Sequence, residues 1–207
     1  MVAGGTGRRF GGAKQFSLLG GRPVAAWSIL AARSVADGVV LVVPADGPGA
    51  DLGADRTVAG GATRAASVRA GLAAVPDDAA VIVVHDAARP LASASLFGEV
   101  VDRVRGGGAA GAVPVLAVGD TLKRVSGDTV ESTVDRDGLV SVQTPQAFEA
   151  RALRDAHASE EQATDDAGLL ERRGMTVRTV AGEIRNLKLT RPEDLELAEL
   201  YLSAVHR

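Results

Sequence analysis

The 207-residue sequence contains no cysteine and only three histidines. Without cysteine the protein forms neither disulfides nor thiolate sites, and cysteine usage does not indicate its redox compartment. The histidines, His85, His157 and His206, are too few for a histidine-rich metal centre. No apolar run approaches the roughly 18 residues of a transmembrane helix, and the first residues have no apolar signal-peptide core. We therefore expect a cytoplasmic protein without a membrane partner.

The balance of charge is nearly even. There are 23 lysines and arginines against 26 aspartates and glutamates, for a formal net charge of −3. This composition gives no indication of nucleic acid or of an anionic membrane as a partner. The length and the hydrophobic fraction of 46% predict one globular domain with a real core over residues 1–207.

Short apolar runs alternate with segments of helical periodicity, which is typical of an α/β fold with a mainly parallel sheet. The β-branched runs at 39–43 and 81–85 predict strands that are buried on both faces. Thr190 and Glu193 form a capping-box pattern around Pro192, which predicts the start of the last helix. Further strands are predicted at 108–118, 175–180 and 184–189, and further helices at 23–35 and 63–75.

Residues 119–138, which we call the arm, interrupt this alternation. Polar and apolar residues alternate there on both sides of a central Ser-Gly-Asp turn. This pattern predicts a β-hairpin where an α/β fold would have a helix. Because a lone hairpin is marginally stable in water, we expect the arm to lie on another surface, for which a second subunit is the natural candidate.

The opening segment, MVAGGTGRRFGGAKQ, is rich in glycine and carries three cations, Arg8, Arg9 and Lys14. Consecutive glycines can surround phosphate oxygens with backbone N–H groups, and the cations suit a highly charged ligand. A dinucleotide fingerprint is disfavoured, because Phe10 stands where a third glycine is needed and no helical pattern follows until about Pro23. A Walker loop is disfavoured as well, because this segment lacks the Gly-Lys-Ser/Thr sequence that such a loop needs. On this segment alone, a flexible glycine-rich terminus is the other interpretation.

Other segments carry weaker signals. The HDAARP segment places Asp86 and Arg89 at the carboxyl end of a predicted parallel strand, where α/β sheets bind ligands. A helix start capped by Asp86 is the plainer interpretation. TVDRDGL and TPQAF are compatible with ordinary loops. Lys188 is predicted on a strand, where a lone lysine is usually solvated.

In this order and at these spacings, these segments resemble the 2-C-methyl-D-erythritol 4-phosphate cytidylyltransferase family. The likeness extends from residue 1 to about residue 203. Four further segments add to it: GGATRAASVRAGL, DTLKR, TDDAGLLE and NLKLTRPEDLELAE. The resemblance implies a Rossmann-like α/β nucleotidyltransferase domain with helices on both sides of the sheet. It also implies a homodimer in which each arm reaches the partner's active site. The implied reaction transfers CMP from CTP to 2-C-methyl-D-erythritol 4-phosphate and releases pyrophosphate, in the non-mevalonate route to isoprenoids.

The resemblance also implies the residues of the site. Arg9 and Lys14 would stabilise the transition state, and Arg136 and Lys188 would position the acceptor phosphate. The implied nucleotide contacts are Ala3, Gly4, Gly5, Lys14, Gly61, Ser67 and Ala87. The implied acceptor contacts are Asp86, Thr121, Arg136, Thr144, Thr164 and Lys188. Mg²⁺ would be held mainly by the phosphates of CTP, so no residue is predicted as a metal ligand. His85 is expected to be structural, because the attacking phosphate is already ionised.

Two positions depart from the family pattern. The family usually has an apolar strand before the glycine loop, whereas only Met1 and Val2 precede Ala3 here, so we expect the chain to begin inside that strand. Ala62 stands where the family often has an acidic residue, which favours a backbone contact at that point.

Three alternatives stay open at this stage. A ribitol 5-phosphate cytidylyltransferase is similar in its glycine loop, its HDAARP segment and its arm, and no residue distinguishes the two acceptors. A nucleotide-binding domain without catalysis is disfavoured, because Arg9, Lys14, Arg136 and Lys188 are all present. An NAD-binding domain is disfavoured by the missing fingerprint.

Overall fold

The computed structural model describes residues 1–5, 10, 12–45, 52–159, 161 and 163–205. In chain order, the elements are a 3₁₀-helix at Lys14–Phe16, β1 (Leu18–Leu19), β2 (Arg22–Pro23), α1 (Val24–Arg33), β3 (Val40–Val43), β4 (Arg56–Ala59), α2 (Arg64–Leu72), β5 (Val81–Val84), α3 (Ala94–Arg105), β6 (Gly111–Ala117), β7 (Leu122–Ser126), β8 (Thr129–Val134), β9 (Val140–Val142), β10 (Gln146–Glu149), α4 (Ala150–His157), α5 (Ala167–Glu171), β11 (Val177–Ala181) and α6 (Pro192–Val205). Among these described helices, none combines the length and the apolar character needed to span a bilayer.

The strands form a mainly parallel sheet. β3 pairs in parallel with β4, and β11 pairs in parallel with β6. Val2 makes parallel bridges to Val42 of β3 and to Asp86 just after β5, so residues 1–3 lie between these two strands. β10 lies antiparallel between β5 and β6, and β9 is antiparallel to the end of β6. The predicted α/β class with a mainly parallel sheet is confirmed, with β10 as an antiparallel strand inside it.

Alternate residues of β5 face two hydrophobic layers, as the period of a strand requires. Ile82 and Val84 pack in a core with side chains of α2, α4 and α5, where Phe148 of β10 is fully buried. Val83 points to the other face and packs with side chains of α1 and α3. Helices therefore cover both faces of the sheet. Because β3 and β5 both run parallel to residues 1–3, their carboxyl ends lie at the same edge.

Residues 1–3 lie where the strand before the glycine loop is expected. The N–H of Val2 donates to His85 O (2.8 Å), and the N–H of Ala3 donates to Val42 O (2.7 Å). Towards the amino end of the same position there is a cavity of about 620 Å³ lined by residues of β3 and β5. At the expected strand position, Val2 thus forms isolated bridges to both neighbours without a named strand.

The prediction of a strand at 184–189 is wrong, and so is the placement of Lys188 on a strand. This segment is irregular and is held by a buried side chain, Asn186. The Asn186 Nδ2 group donates to Gln143 Oε1 (3.2 Å) and Thr144 O (2.9 Å). The N–H of Leu189 donates to Ala88 O (2.8 Å). Amide side chains here supply the hydrogen bonds that a neighbouring strand would supply.

The last helix begins at Pro192 as predicted, but the expected partner is not the one used. Asp194 Oδ2, and not Glu193, accepts from the N–H groups of Thr190 (2.6 Å) and Arg191 (2.8 Å). The Thr190 hydroxyl donates to Lys188 O (3.1 Å). The acidic side chain still satisfies N–H groups at the start of the helix, where its charge is also favourable.

The hairpin predicted in the arm is confirmed. β7 and β8 pair in antiparallel fashion, and Gly127 in the turn has a positive φ of 59°. Within the described ranges these two strands pair only with each other. Val125 and Val130 are 58% and 56% exposed. The arm therefore carries apolar side chains that its own chain leaves uncovered.

Candidate functional site

A cleft of about 460 Å³ lies at the edge of the sheet where the parallel strands end. It is assembled from four parts of the chain that are distant in sequence. The predicted residues that line it are Ala3, Gly4, Gly5, Lys14, Gly61, Ser67, Asp86 and Lys188. The structure thus brings together most of the predicted nucleotide contacts and two of the predicted acceptor contacts.

The side chain of Gln15 holds the backbone of the glycine loop. Its Nε2 group donates to Ala3 O (2.8 Å) and lies 3.3 Å from Gly5 O, and the side chain is buried. These bonds occupy backbone carbonyl groups of the loop. Sequence reasoning missed this residue, although a buried amide that satisfies loop carbonyls is a common requirement.

Glycines allow two backbone segments to approach Ser67 closely. A Cβ atom at Gly4 would lie 3.2 Å from Ser67 Oγ, and one at Gly60 would lie 2.7 Å from the same atom. A Cβ atom at Gly61 would lie 2.5 Å from the Cβ of Ala66. Thr63 caps α2, because its hydroxyl accepts from the N–H of Ala66 (3.1 Å). A side chain at any of these glycines would push the loops away from α2 and change the floor of the cleft.

Asp86 lies between two cations in the cleft. Lys188 Nζ donates to Asp86 Oδ2 at 2.5 Å, and Arg64 Nε lies 3.6 Å from Asp86 Oδ1. Burial by itself would raise the pKa of Asp86, but the charges of Lys188 and Arg64 outweigh it and lower this pKa to about 2. Asp86 is therefore ionised at neutral pH. Arg64, at the start of α2, was not among the predicted site residues.

His85 and Thr144 hold the backbone behind Asp86. The N–H of Asp86 donates to Thr144 Oγ1 (3.0 Å), and Thr144 Oγ1 lies 3.1 Å from His85 Nδ1. His85 Nε2 lies 3.2 Å from the carbonyl oxygen of Arg89, which only accepts, so we assign the ring proton to Nε2 and the Thr144 hydroxyl as donor to Nδ1. Burial lowers the pKa of His85 to about 3, which keeps the ring neutral.

Thr144 is thus buried beside Asp86 and does not line the cleft. Its contact with the acceptor stays a prediction. Ala87 is also buried, and its N–H donates to Val2 O (3.0 Å).

Lys14 connects the glycine loop to the segment that carries Lys188. It lies on the 3₁₀-helix after the loop, and its Nζ group donates to the carbonyl oxygen of Leu189. Lys14 and Lys188 both line the cleft, one from each end of the chain. Two ammonium groups and the backbone of a glycine loop form a suitable environment for the phosphates of a nucleotide.

The remaining predicted residues lie elsewhere. Thr121 and Arg136 are exposed residues of the arm, where Arg136 Nη1 donates to Gly119 O. Thr164 is exposed before α5. None of these three lines the cleft of its own chain. Arg9 lies outside the described residues.

Comparison with known proteins gives consistent results. A sequence model of the 2-C-methyl-D-erythritol 4-phosphate cytidylyltransferase family matches residues 1–204. The chain is 45% identical to the protein of that name from Nocardia farcinica, with coverage of 98% of this chain and 92% of that protein. It is 44% identical to the bifunctional enzyme IspD/IspF of Dinoroseobacter shibae, with coverage of 98% of this chain and 52% of that protein. The chain spans about half the length of the bifunctional relatives that it matches.

A solved structure agrees with the sequence matches. The crystal structure of 2-C-methyl-D-erythritol 4-phosphate cytidylyltransferase from Thermus thermophilus superposes with a TM-score of 0.85 at 37% identity. The superposition covers 98% of this chain and 96% of that one. The arrangement of strands and helices described above is therefore shared over nearly the whole length.

Proposed function

The chain belongs to the 2-C-methyl-D-erythritol 4-phosphate cytidylyltransferase family, and from that premise we propose that it transfers CMP from CTP to 2-C-methyl-D-erythritol 4-phosphate. The products are 4-diphosphocytidyl-2-C-methyl-D-erythritol and pyrophosphate, and the step belongs to isoprenoid biosynthesis. The observation that carries the proposal is the meeting of Lys14, Lys188 and the glycine loop in one cleft. We place the reaction in the cytoplasm, where CTP is available.

The chemistry asks little covalent work of the protein. An oxygen of the acceptor phosphate attacks the α-phosphorus of CTP, a new P–O bond forms, and the bond to the pyrophosphate oxygen breaks. Because the attacking phosphate is already ionised, no side chain has to remove a proton. The protein must hold the reacting atoms in line and neutralise the charge that grows on the phosphoryl and leaving oxygens.

The cleft supplies groups for both tasks. Lys14, beside the glycine loop, is the proposed donor to the triphosphate, where a cation stabilises the transition state more than the ground state. Lys188 is the proposed contact of the acceptor phosphate, and Asp86 would accept hydrogen bonds from acceptor hydroxyls. Arg9 has the same proposed role as Lys14 on the resemblance alone.

Mg²⁺ is also part of the proposal. The acidic side chain in the cleft, Asp86, already faces Lys188 and Arg64. In the described ranges no group of three or more His, Asp or Glu side chains is arranged to hold a metal ion. These residues fit an ion held mainly by phosphate and water oxygens, with few direct protein ligands. When bound, Mg²⁺ would neutralise charge on the triphosphate.

We propose a homodimer in which each arm lies over the partner's cleft. Val125 and Val130 are more than half exposed, and a two-fold dimer is the commonest assembly that could cover them. Arg136 lies at the base of the arm and does not line the cleft of its own chain. In the dimer Thr121 and Arg136 would contact the acceptor bound to the other subunit.

Pyrophosphate release is the direct test of the activity. Purified protein with CTP and Mg²⁺ is assayed with 2-C-methyl-D-erythritol 4-phosphate and, separately, with ribitol 5-phosphate. We expect release with the first acceptor, with Lys188→Ala as the variant that loses it. Arg33→Ala is the control, because Arg33 pairs with Asp55 (2.7 Å) outside the cleft. Release with ribitol 5-phosphate alone would assign the chain to the other reaction.

A further inference from the structure

Arg64 links the cleft to a buried pair of side chains behind it. Its Nη2 group lies 2.8 Å from Asp166 Oδ2, and its Nε group lies 3.6 Å from Asp86 Oδ1. Asp166 is 1% exposed. Its second carboxylate oxygen, Oδ1, accepts from His157 Nε2 at 2.9 Å. The guanidinium therefore bridges two carboxylates, one in the cleft and one in the interior.

Lys188 is already engaged in this structure. Its ammonium group donates to Asp86 Oδ2 at 2.5 Å. If Lys188 contacts the acceptor phosphate, as the proposed function requires, the nearest counter-ion of Asp86 is withdrawn. Asp86 is largely buried, and a buried carboxylate without a counter-ion tends to take up a proton. A protonated Asp86 would no longer be a pure acceptor for hydroxyl groups.

We propose that Arg64 is a positioning residue that keeps Asp86 ionised and in place while Lys188 moves from Asp86 to the acceptor phosphate. The inference rests on the proposed function, because it concerns the same acceptor. Arg64 does not itself have to touch the substrate. Its task is to remain beside Asp86 after the other cation has been drawn away.

The contacts of Asp166 explain why Arg64 would stay in place. Asp166 Oδ2 forms an ion pair with Arg64 (2.8 Å), and Asp166 Oδ1 accepts a hydrogen bond from His157 of α4. Burial opposes the ionised form of Asp166, but the hydrogen bond from His157 and the charge of Arg64 outweigh it, so the pKa of Asp166 is lowered. The anchor is therefore a fixed negative charge, and it holds the guanidinium against the pull of an incoming phosphate.

An arginine suits this position better than a lysine. Its planar group offers separate nitrogens to the two carboxylates, whereas a lysine presents one point charge. Asp166 and Asp86 together raise the pKa of Arg64 despite its partial burial, so its charge does not depend on pH. A lysine here should retain part of the electrostatic effect and lose the bridge.

Removing Arg64 should change the pH dependence of kcat/KM. The ionisable groups that face Asp86 are His85 and Arg89 from the same segment, the Met1 ammonium from the neighbouring segment, Arg64 from α2, and Lys188. Burial lowers the pKa of the Met1 ammonium to about 6, so this group carries its full charge only at the acid end of the pH range. His85 is neutral because its pKa is about 3. With Lys188 on the acceptor, Arg64 is the described cation that still lies within ion-pair distance of Asp86 (3.6 Å), so its loss should raise the pKa of Asp86.

The kinetic test compares four variants of the full chain: Arg64→Met, Arg64→Lys, Asp166→Asn and, as the matched control, Arg33→Met. The values of kcat and of KM for each substrate are measured from about pH 4.5 to 8. We expect Arg64→Met to raise the KM of the sugar phosphate about tenfold or more, as loss of a charge-assisted contact does, with a smaller effect on the KM of CTP. The second ionisation of the phosphate monoester, at about pH 6, gives the wild type an acid limb in kcat/KM. In Arg64→Met we expect this limb to begin at a higher pH and to be steeper, because Asp86 titrates as well.

Arg64→Lys should restore part of the loss, Asp166→Asn should share it, and Arg33→Met should behave as wild type. Equal increases in both KM values with an unchanged pH profile would overturn the proposal, because that is the result of a structural defect. A wild type that releases no pyrophosphate would overturn the proposed function instead.

A measurement without turnover separates the two outcomes. The carboxyl carbon of Asp86 is followed by NMR during pH titration of protein labelled with ¹³C at aspartate carboxyl groups. The Asp86 midpoint should be higher in Arg64→Met than in the wild type, with Arg33→Met unchanged. The same midpoint in Arg64→Met and wild type would overturn the proposal whether or not the enzyme is active.

Discussion

Acid should destabilise the fold through His85. In the folded protein the pKa of His85 is lowered from 6.5 to about 3, because the ring is buried. The unfolded chain takes up this proton from about pH 6.5 downwards, so the stability that the neutral ring contributes is complete above that pH and is lost towards pH 3. Between about pH 7 and 4.5 the expected loss is about 2.5 kcal/mol, from 1.36 kcal/mol per pKa unit.

The hydrogen bonds of Thr144 also favour a neutral His85 ring. Its hydroxyl accepts from the N–H of Asp86 and is the assigned donor to His85 Nδ1. A second proton on the ring would turn Nδ1 into a donor that faces this hydroxyl, which then has to turn away. Asp86 adds to the effect only at lower pH. Its pKa is lowered from 3.8 to about 2, so its contribution is present above 3.8 and is lost as the pH falls through 2.

Urea denaturation of wild type and His85→Gln at a series of pH values measures the effect. The difference in the free energy of unfolding between the two proteins removes the contribution of the other titrating groups, which both proteins share. The advantage of the wild type should shrink by about 2.5 kcal/mol from about pH 7 to 4.5. A difference that stays constant within about 0.5 kcal/mol, a usual limit for such comparisons, would refute the assignment of a neutral buried ring.

Three further predictions concern the cleft and the arm. Lys14→Ala should lower kcat about a hundredfold, because one donor to transition-state charge contributes on the order of 3 kcal/mol. The rate of pyrophosphate release measures this effect. A kcat within about threefold of wild type would contradict the role of Lys14. Gly61→Ala should weaken CTP binding about tenfold in calorimetry, because its new Cβ would lie 2.5 Å from that of Ala66, whereas Gly98→Ala meets nothing within 4 Å and is the control; equal affinities would refute the packing argument. Subunits with Lys14→Ala mixed with subunits carrying Arg136→Ala should regain up to about half the activity per heterodimer; mixtures that exchange subunits and stay inactive would place Arg136 in its own chain's site.

Local patterns predicted the elements that obey one period. The β-branched runs became β3 and β5, and the alternating arm became β7 and β8. TPQAF was compatible with a loop, although Gln146–Glu149 forms β10 inside the sheet. This strand was not predicted, because the buried polar residue Gln146 interrupts the apolar pattern. Its Nε2 group donates to Asp165 Oδ2 (2.9 Å), a partner that the sequence does not reveal.

Some residues of the candidate site were predicted from the sequence and others were missed. Lys14, Asp86 and Lys188 were predicted, because the resemblance names them. Arg64 and Gln15 were missed, because their importance depends on which distant groups they meet. Arg64 meets carboxylates far along the chain, and Gln15 meets the carbonyls of a loop. Neither contact produces a periodic or compositional signal.

The contact between Lys14 and Leu189 has a consequence for the synthesis of the protein. The two residues are 175 positions apart, and Lys188 is 102 positions from Asp86. Closing such long loops is entropically costly, so we expect these contacts to form after the intervening sheet is in place. A chain still emerging from the ribosome can form the glycine loop and the first strands, yet it lacks the cation that closes the far side of the cleft. Under the proposed function, a nucleotide would therefore bind at full strength only after Lys188 and Leu189 have been translated, and it would stabilise the finished fold without assisting its early stages.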